Sequence, residues 1–378
     1  MEEKMRKVLI FGMTPAQGGI ETFVLNLCNV IQDTADVFLY NFSDSPLAYT
    51  NELKQKYNVE IFDVVAPTNI MGHFVRKFQY HSFFKKHKFD IVHINANSPS
   101  NYDFAKAALK SGARVIYHSH NDNSETFSLM KINGKLLKFV RDYQKNKLEK
   151  MDIVRAAVSG NAAKWMFGGV NSVQIIPNGV DFNNVSYSPV KRFNGRKQLE
   201  IGDDDRVLLV ASRLSKQKNI FKALSIAKYA IENNIAQHLI IVGDGEERER
   251  LNHCVNEYED NLKKRIHILG PQYDMQRWYS VSDAMLMPSF YEGLPYTVLE
   301  AQASGLNIMA SKTIPNQAVI SPKLVQFLDT EDSDKTWAQY LLSLKIDENR
   351  LDSILEANKS IYALQNFKKI MKKIYETI

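Results

Sequence analysis

Short runs of β-branched and aliphatic residues alternate along the chain with longer segments of helical period, and turn residues separate them. Residues 8–11 are apolar, stop at Gly12, and lead through Gly18-Gly19 into a helical pattern over 21–32. Strand-like runs follow at 37–41, 59–64, 91–94, 114–118, 153–159 and 173–176, with a helical segment at 103–111. Strands that alternate with helices predict a mostly parallel sheet covered on both faces. The pattern breaks at Pro177-Asn178-Gly179-Val180-Asp181, which is turn chemistry, and residues 182–205 show no regular period. It then restarts. Strands are expected at 206–211, 239–242, 265–269, 284–287, 306–310 and 324–328, and helices at 220–232, 246–258, 275–281, 295–304 and 335–344. The tail, 349–378, reads as helical.

The fold expected is α/β, with two Rossmann-like doubly wound parallel-sheet domains. The first spans 1–180, 181–205 link it to a second over 206–355, and 356–378 form a terminal helix. No sequence repeat relates the halves. Open sheets of this kind bind ligands beyond the carboxyl ends of their strands, so chemistry is sought in the loops that follow strands.

A chain of 378 residues, 44% hydrophobic and 24% charged, can build two cores and is not composed like a disordered one. Four apolar residues before Gly12 are too few for a signal-peptide core, and no stretch approaches the roughly 20 apolar residues of a membrane span. Cys28 and Cys254 stand alone and far apart, which suits a reducing cytoplasm and gives neither a disulfide framework nor a zinc pattern. The net charge of +6 lies wholly in the first half: residues 1–180 hold 22 Lys+Arg against 16 Asp+Glu, and the remainder 26 against 26. Two stretches concentrate it. Residues 73–88 include Arg76, Lys77, Lys85, Lys86 and Lys88 among Phe74, Phe78, Tyr80, Phe83 and Phe84. Residues 131–150 carry seven basic and two acidic residues beside Leu136, Leu137, Phe139 and Val140. A basic face with apolar edges suits an anionic membrane surface; a solvated helix face over buried aromatics explains the same residues.

Four loops of the second half gather anion and hydroxyl binders. In Ser212-Arg213-Leu214-Ser215-Lys216-Gln217-Lys218, Arg213 offers a bidentate fork and Lys218 a point charge at a helix entrance, which suits a diphosphate. Gly243 and Gly245 follow a strand, where glycine lets backbone approach a ligand. In Tyr291-Glu292-Gly293-Leu294-Pro295-Tyr296-Thr297, Pro295 suits the first turn of a helix, and the amides of 293–297 would meet an anion at its positive end. Glu292 precedes that point and Glu300 lies one turn beyond it, so two carboxylates can each receive sugar hydroxyls. In the first half, Gly18-Gly19 form a glycine loop, and His118-Ser119-His120-Asn121-Asp122 end a strand where an imidazole could orient a hydroxyl. Asp203-Asp204-Asp205 resembles a metal-binding triplet but precedes a strand instead of ending one, so it is read as a charged turn.

Taken in order, these segments resemble family 4 of the retaining GT-B glycosyltransferases over nearly the whole chain. Glu292 and Glu300 match its E-x7-E signature, Arg213 and Lys218 its R-x4-K pair, Gly18-Gly19 its first glycine loop, Ala157-Val158-Ser159 an interior strand and Asn178-Gly179-Val180-Asp181 its hinge. Ser282-Asp283-Ala284 and Pro288-Ser289 match the approach to the E-G-x-P loop. The resemblance implies two domains facing a central cleft, with the C-terminal helix crossing back to the first. It also implies that Arg213 and Lys218 hold a donor pyrophosphate, Glu300 the ribose and Glu292 the transferred sugar, with His120 near the reacting centre. Gly18, Gly19, Gly243, Gly293, Leu294, Pro295, Tyr296 and Thr297 complete the donor-binding set. His118 and His120 compete for one family position; the Asn121-Asp122 that follows favours His120. The family's glycine pair and following glutamate are replaced by Lys312-Thr313-Ile314-Pro315-Asn316-Gln317, so the donor sugar is not specified.

The expected activity is a retaining transfer of a hexose or N-acetylhexosamine, from a UDP-sugar in the first instance, to a saccharide or lipid-linked saccharide. No metal and no cofactor is expected, since Arg213, Lys218 and a helix end can meet the phosphate charge. An anionic membrane surface is a further expected partner and nucleic acid is not, which places the chain in the cytoplasm or peripherally on the inner membrane face. A related sugar-nucleotide epimerase or a phosphorylase is the alternative.

Overall fold

The structure is a computed structural model that describes residues 5–65, 70–121, 134–343 and 350–378; for 70–74 and 134–137 it describes the backbone only. The chain divides into two compact units, one of residues 1–179 with 364–378 and the other of residues 180–363.

The first unit is built on seven parallel strands: β1 (Arg6–Phe11), β2 (Ala35–Asn41), β3 (Glu60–Asp63), β4 (Ile91–Ala96), β5 (Arg114–Ser119), β6 (Val154–Ala157) and β7 (Val173–Ile175). Their order is β3-β2-β1-β4-β5-β6-β7, so the chain reverses its direction of travel across the sheet between β1 and β4. Every residue of β4 is buried, as expected for a strand covered on both faces. Of the two readings of the basic face, Phe83 and Phe84 follow the one with buried aromatics: they belong to the core beneath it, with Phe104, Tyr117 and Leu148. The reason is helical period. In Ile70–Lys86 the aromatics at 83 and 84 point to the sheet while Phe78 points to solvent. Phe74, Leu136 and Leu137 lie outside the described side chains.

The second unit carries six parallel strands: β8 (Val207–Ala211), β9 (His238–Val242), β10 (Ile266–Gly270), β11 (Ala284–Met287), β12 (Asn307–Ser311) and β13 (Val325–Leu328). The order β10-β9-β8-β11-β12-β13 places the reversal between β8 and β11. Its core joins Leu208 and Val210 of β8 to Ile226, Ala227 and Ala230 of the helix Ile220–Glu232 and to Trp337 of Asp334–Ser343.

Residues expected to lack regular structure contain the helix Pro189–Gln198. Ser188 caps it, its Oγ accepting from the Lys191 amide, and proline opens it. Apolar period could not reveal this helix, because its buried residues are Gly195 and Arg196. Arg196 donates to the carbonyls of Gly202, Asp203, Asp205 and Val281 and pairs with Asp283 at 2.8 Å. The Asp203–Asp205 triplet is thereby a turn whose carbonyls face an arginine.

The C-terminal helix Leu364–Thr377 is part of the first unit. Phe367, Met371, Ile374 and Tyr375 form its buried stripe at spacings of three and four. Phe367 meets Phe23 of the helix Gly19–Ile31 edge-on, and the Tyr375 hydroxyl lies 2.9 Å from Nδ1 of His93 on β4.

Candidate active site

In the second unit the expected donor residues gather at the switch between β8 and β11. Residues 212–218 follow β8 and residues 288–295 follow β11, so adjacent parallel strands deliver both loops to the same sheet end. Backbone and side chain stitch them together. The Phe290 amide donates to the Gln217 carbonyl at 2.9 Å, and Gln217 Nε2 to the Tyr291 carbonyl at 2.8 Å.

Across this seam Lys218 Nζ lies 2.6 Å from Glu292 Oε1, with the carboxylate buried. The two residues assigned to pyrophosphate and sugar therefore hold one another. An ammonium held by a buried carboxylate keeps further hydrogens for a phosphate oxygen, and the carboxylate keeps a second oxygen for a hydroxyl. Arg213 is largely exposed and pairs with Glu246 at 3.4 Å. Pro295 stands at the N-cap of the helix Tyr296–Ala303 and not inside its first turn. Gly293, Leu294, Pro295 and Tyr296 are buried and Thr297 partly so, which fixes the backbone at the helix entrance.

Glu300 lies on that helix, and its Oε2 accepts the Tyr279 hydroxyl at 2.7 Å. Burial raises the Glu300 carboxyl above its ordinary range, against the lowering effect of that hydrogen bond. Its position is anchored further. Buried Arg350 donates to the carbonyls of Tyr279, Ser282 and Ser304, tying together the C-terminal ends of the Tyr279 and Glu300 helices.

The β9 loop crosses the β8 loop closely. Gly243 has φ +135°, and a Cβ there would lie 1.9 Å from the Ser212 carbonyl oxygen. Only glycine fits, so its placement beside the Arg213 loop is set by backbone packing. After β12, Ser311 Oγ and Thr313 Oγ1 donate to the Ser289 carbonyl at 2.6 and 2.8 Å. The segment that departs from the family pattern is thus fastened to the loop carrying Glu292.

In the first unit, Gly18 is the extended N-cap of Gly19–Ile31, and Gly18 and Gly19 are exposed. Glu21 accepts from the Thr14 amide and hydroxyl at 2.9 and 2.8 Å, closing the loop between β1 and the helix. The two candidate histidines differ sharply. His118 is fully buried, its Nδ1 at 3.2 Å from His93 Nε2, while His120 is partly exposed with Nε2 at 2.8 Å from Asn95 Oδ1. Burial, with His93 nearby, brings the His120 imidazole down to about 3, so it is neutral at pH 7. Asp122 lies outside the described residues.

Gln217, Tyr279, Thr313, Arg350 and Asn95 had no signal in the sequence. Each is a common residue whose role arises from a partner on another element; only the loop-after-strand rule could have drawn attention to Gln217 and Thr313, and Asn95 lies inside β4. No group of three or more His, Cys, Asp and Glu residues that could hold a metal ion occurs among the described residues.

Comparison with known proteins agrees with this arrangement. Residues 17–184 match the model described as Glycosyltransferase Family 4, and residues 191–360 that of Glycosyl transferases group 1. An Escherichia coli UDP-Gal:alpha-D-GlcNAc-diphosphoundecaprenol alpha-1,3-galactosyltransferase is 29% identical over 249 residues, 65% of this chain and 63% of that protein, so under two thirds of that relative is matched. EpsF of Bacillus subtilis (strain 168) is 27% identical over 355 residues, 90% of this chain and 88% of its own length. Among solved structures, Anabaena HepE in complex with UDP superposes with a TM-score of 0.78 at 16% identity, covering 99% of this chain and 100% of that one. WaaG, a glycosyltransferase involved in lipopolysaccharide biosynthesis, gives 0.71 at 15% identity, over 98% and 99% of the two chains. The two family models together span nearly the whole chain, both units carry the parallel sheets of the GT-B fold, and the chain belongs to family 4 of the glycosyltransferases.

Proposed function

We propose that this glycosyltransferase moves a hexose or N-acetylhexosamine from a UDP-sugar to a hydroxyl of a saccharide or lipid-linked saccharide, with retention and without a bound metal. The observation that carries the reading is the Lys218–Glu292 pair at 2.6 Å, with Glu300 one turn along the following helix. The donor diphosphate is assigned to Arg213, Lys218 and the entrance of Tyr296–Ala303, the ribose to Glu300 and the transferred sugar to Glu292. As the bond from the anomeric carbon to phosphate breaks, negative charge grows on the leaving oxygen. The two cations and the helix end stabilise it. His120 is assigned to the sugar side as a neutral hydrogen-bonding group. The name of the E. coli relative, which includes a UDP-galactose donor and a diphosphoundecaprenol acceptor, supports both the UDP and the lipid-linked acceptor.

The lipid-linked acceptor joins to a second part of the proposal, peripheral docking on an anionic membrane. Phe78 and Phe139 are 77% and 71% exposed on the helices Ile70–Lys86 and Gly134–Glu149, both packed against Tyr102–Lys110. Exposed lysines accompany them. No described helix is long and apolar enough to cross a membrane.

The test is release of nucleotide from a panel of UDP- and GDP-sugars, with and without acceptor and with and without EDTA, and the anomeric configuration of the product by NMR. Transfer from a UDP-sugar with retained configuration, indifferent to EDTA, is expected. An inverted product, acceptor-independent epimerisation, or loss in EDTA that Mn²⁺ restores would each refute the corresponding part.

A further inference from the structure

The loops that follow β1, β4 and β5 meet at the switch point of the first unit. There His120 comes against Asn95, a residue on neither the family's motifs nor the candidate donor set. Gly12, just past β1, makes room for it. With φ +114°, Gly12 would put a Cβ 2.0 Å from the Asn95 carbonyl oxygen, so β4 passes as close to the β1 loop as backbone allows. Asn95 is buried, and its amide has two neighbours. Nδ2 donates to the Phe11 carbonyl at 3.3 Å, and Oδ1 lies 2.8 Å from His120 Nε2.

The amide orientation follows from the Phe11 carbonyl. Turned the other way, Oδ1 would face that carbonyl oxygen and two acceptors would be buried against each other, which costs about 1–3 kcal/mol for each group left unsatisfied. With Oδ1 toward the imidazole, His120 Nε2 must carry the hydrogen. A neutral imidazole has one N–H, so its Nδ1 then carries the lone pair. Phe23 and His118 pack on the ring at centroid distances of 4.7 and 4.2 Å, and no carboxylate is paired with His120 among the described residues. These neighbours favour the neutral ring.

We propose that Asn95 is a positioning residue that locks His120 in the Nε2–H tautomer, so that His120 meets a substrate hydroxyl as a hydrogen-bond acceptor through Nδ1 and not as a donor. The part concerning substrate rests on the assignment of His120 to the sugar side; the tautomer does not. His120 is thereby suited to hold a hydroxyl hydrogen, and not to protonate a leaving group. A phosphate or other oxyanion without a hydrogen to give is disfavoured at Nδ1.

The experiment uses the full chain labelled with ¹⁵N-histidine. Long-range ¹H–¹⁵N correlation spectra at pH 7 distinguish protonated from unprotonated ring nitrogens, and His120 is assigned by the signals missing from His120→Gln. The wild type should show one unprotonated nitrogen at Nδ1. Asn95→Leu should give averaged tautomer shifts and a kcat lower on the order of 10²-fold, as for a misplaced group, with the donor KM moving far less. A wild-type spectrum with the hydrogen on Nδ1, or an imidazolium at pH 7, overturns the proposal without any variant having to fold. Unchanged His120 shifts in a folded Asn95→Leu protein overturn the role of Asn95. Full turnover in His120→Gln would remove His120 from the sugar side and leave the tautomer result standing.

Discussion

Glu300 is a carboxylate held where a carboxylate is poorly solvated, and Tyr279 is its one described hydrogen-bond partner in compensation. A carboxyl group whose folded pKa lies above its ordinary value binds a proton more readily folded than unfolded. Its contribution to stability is therefore present at low pH and lost as pH rises through the folded value. Glu300→Gln should raise the melting temperature of the ligand-free protein by about 2 °C at pH 7, with the gain shrinking below the ordinary glutamate range. The same change should weaken UDP on the order of tenfold, since it removes a charged acceptor from the hydroxyls assigned to it. Glu292→Ala should behave differently. It releases Lys218 from its ion pair, so UDP affinity is kept or increased while kcat falls about 10²-fold. Calorimetric titration with UDP beside steady-state kinetics separates the two, and equal loss of UDP binding in both variants would refute the division. The spacing of the two glutamates was legible because both lie on one short segment, with seven residues between them. Tyr279 and Asn95 were not, since their partners are brought by other helices and strands, and one-residue signals for tertiary hydrogen bonds do not exist in a sequence.

The strands announced themselves as elements because parallel sheets buried on both faces demand apolar runs, continuous in β8 and broken in β4 only by the buried His93 and Asn95. The helix Pro189–Gln198 did not, because what it buries is an arginine. Arg196 is 1% exposed and donates to four carbonyls, besides pairing with Asp283. Asp283 in turn accepts from the Val207 amide at the start of β8 and from Arg192, each at 2.8 Å. This network fixes the entry of β8 and the approach to β11, the two strands whose far ends carry Lys218 and Glu292. Arg196→Met fills the volume but leaves the carbonyls unpaired and Asp283 with one cation fewer. It should cost about 3 kcal/mol in urea unfolding, the low end for breaking a buried ion pair. A loss below about 1 kcal/mol would mean that Arg192 alone supports Asp283 and that the connector is held by its turn. The same lesson applies at Gly243, where glycine was legible as a loop residue but its reason, a carbonyl 1.9 Å from any Cβ, belongs to the packing of two loops.

Charge is the property of the whole chain that the sequence showed most directly, and the structure alters what it means. The excess of +6 lies in residues 1–180, and the aromatics interleaved with it divide into two sets. Phe83 and Phe84 are core, so the bland explanation of a solvated helix face over buried rings is correct for them. Phe78, Phe139, Val140 and Tyr143 are exposed, and burial cannot be their purpose. Exposed rings among Lys85, Lys86, Lys88, Lys138 and Lys147 match a surface that enters the headgroup region of an anionic leaflet, where each cation adds about 1 kcal/mol and aromatic rings are favoured. Sedimentation with liposomes should therefore show binding that rises with the fraction of anionic lipid and falls between low and physiological salt, as screening shortens the range of the field. Changing Lys85, Lys86 and Lys88 together to Glu should lower the partition coefficient at least tenfold, because about 3 kcal/mol of attraction is removed before repulsion is counted. Phe78→Ser and Phe139→Ser should weaken binding while leaving its salt dependence intact, since they remove apolar insertion and not charge. Transfer to a short, water-soluble acceptor should be unchanged in all of these variants. Binding indifferent to lipid charge, or phenylalanine variants that partition like the wild type, would show that the basic face serves solvation and that the acceptor is met away from the membrane.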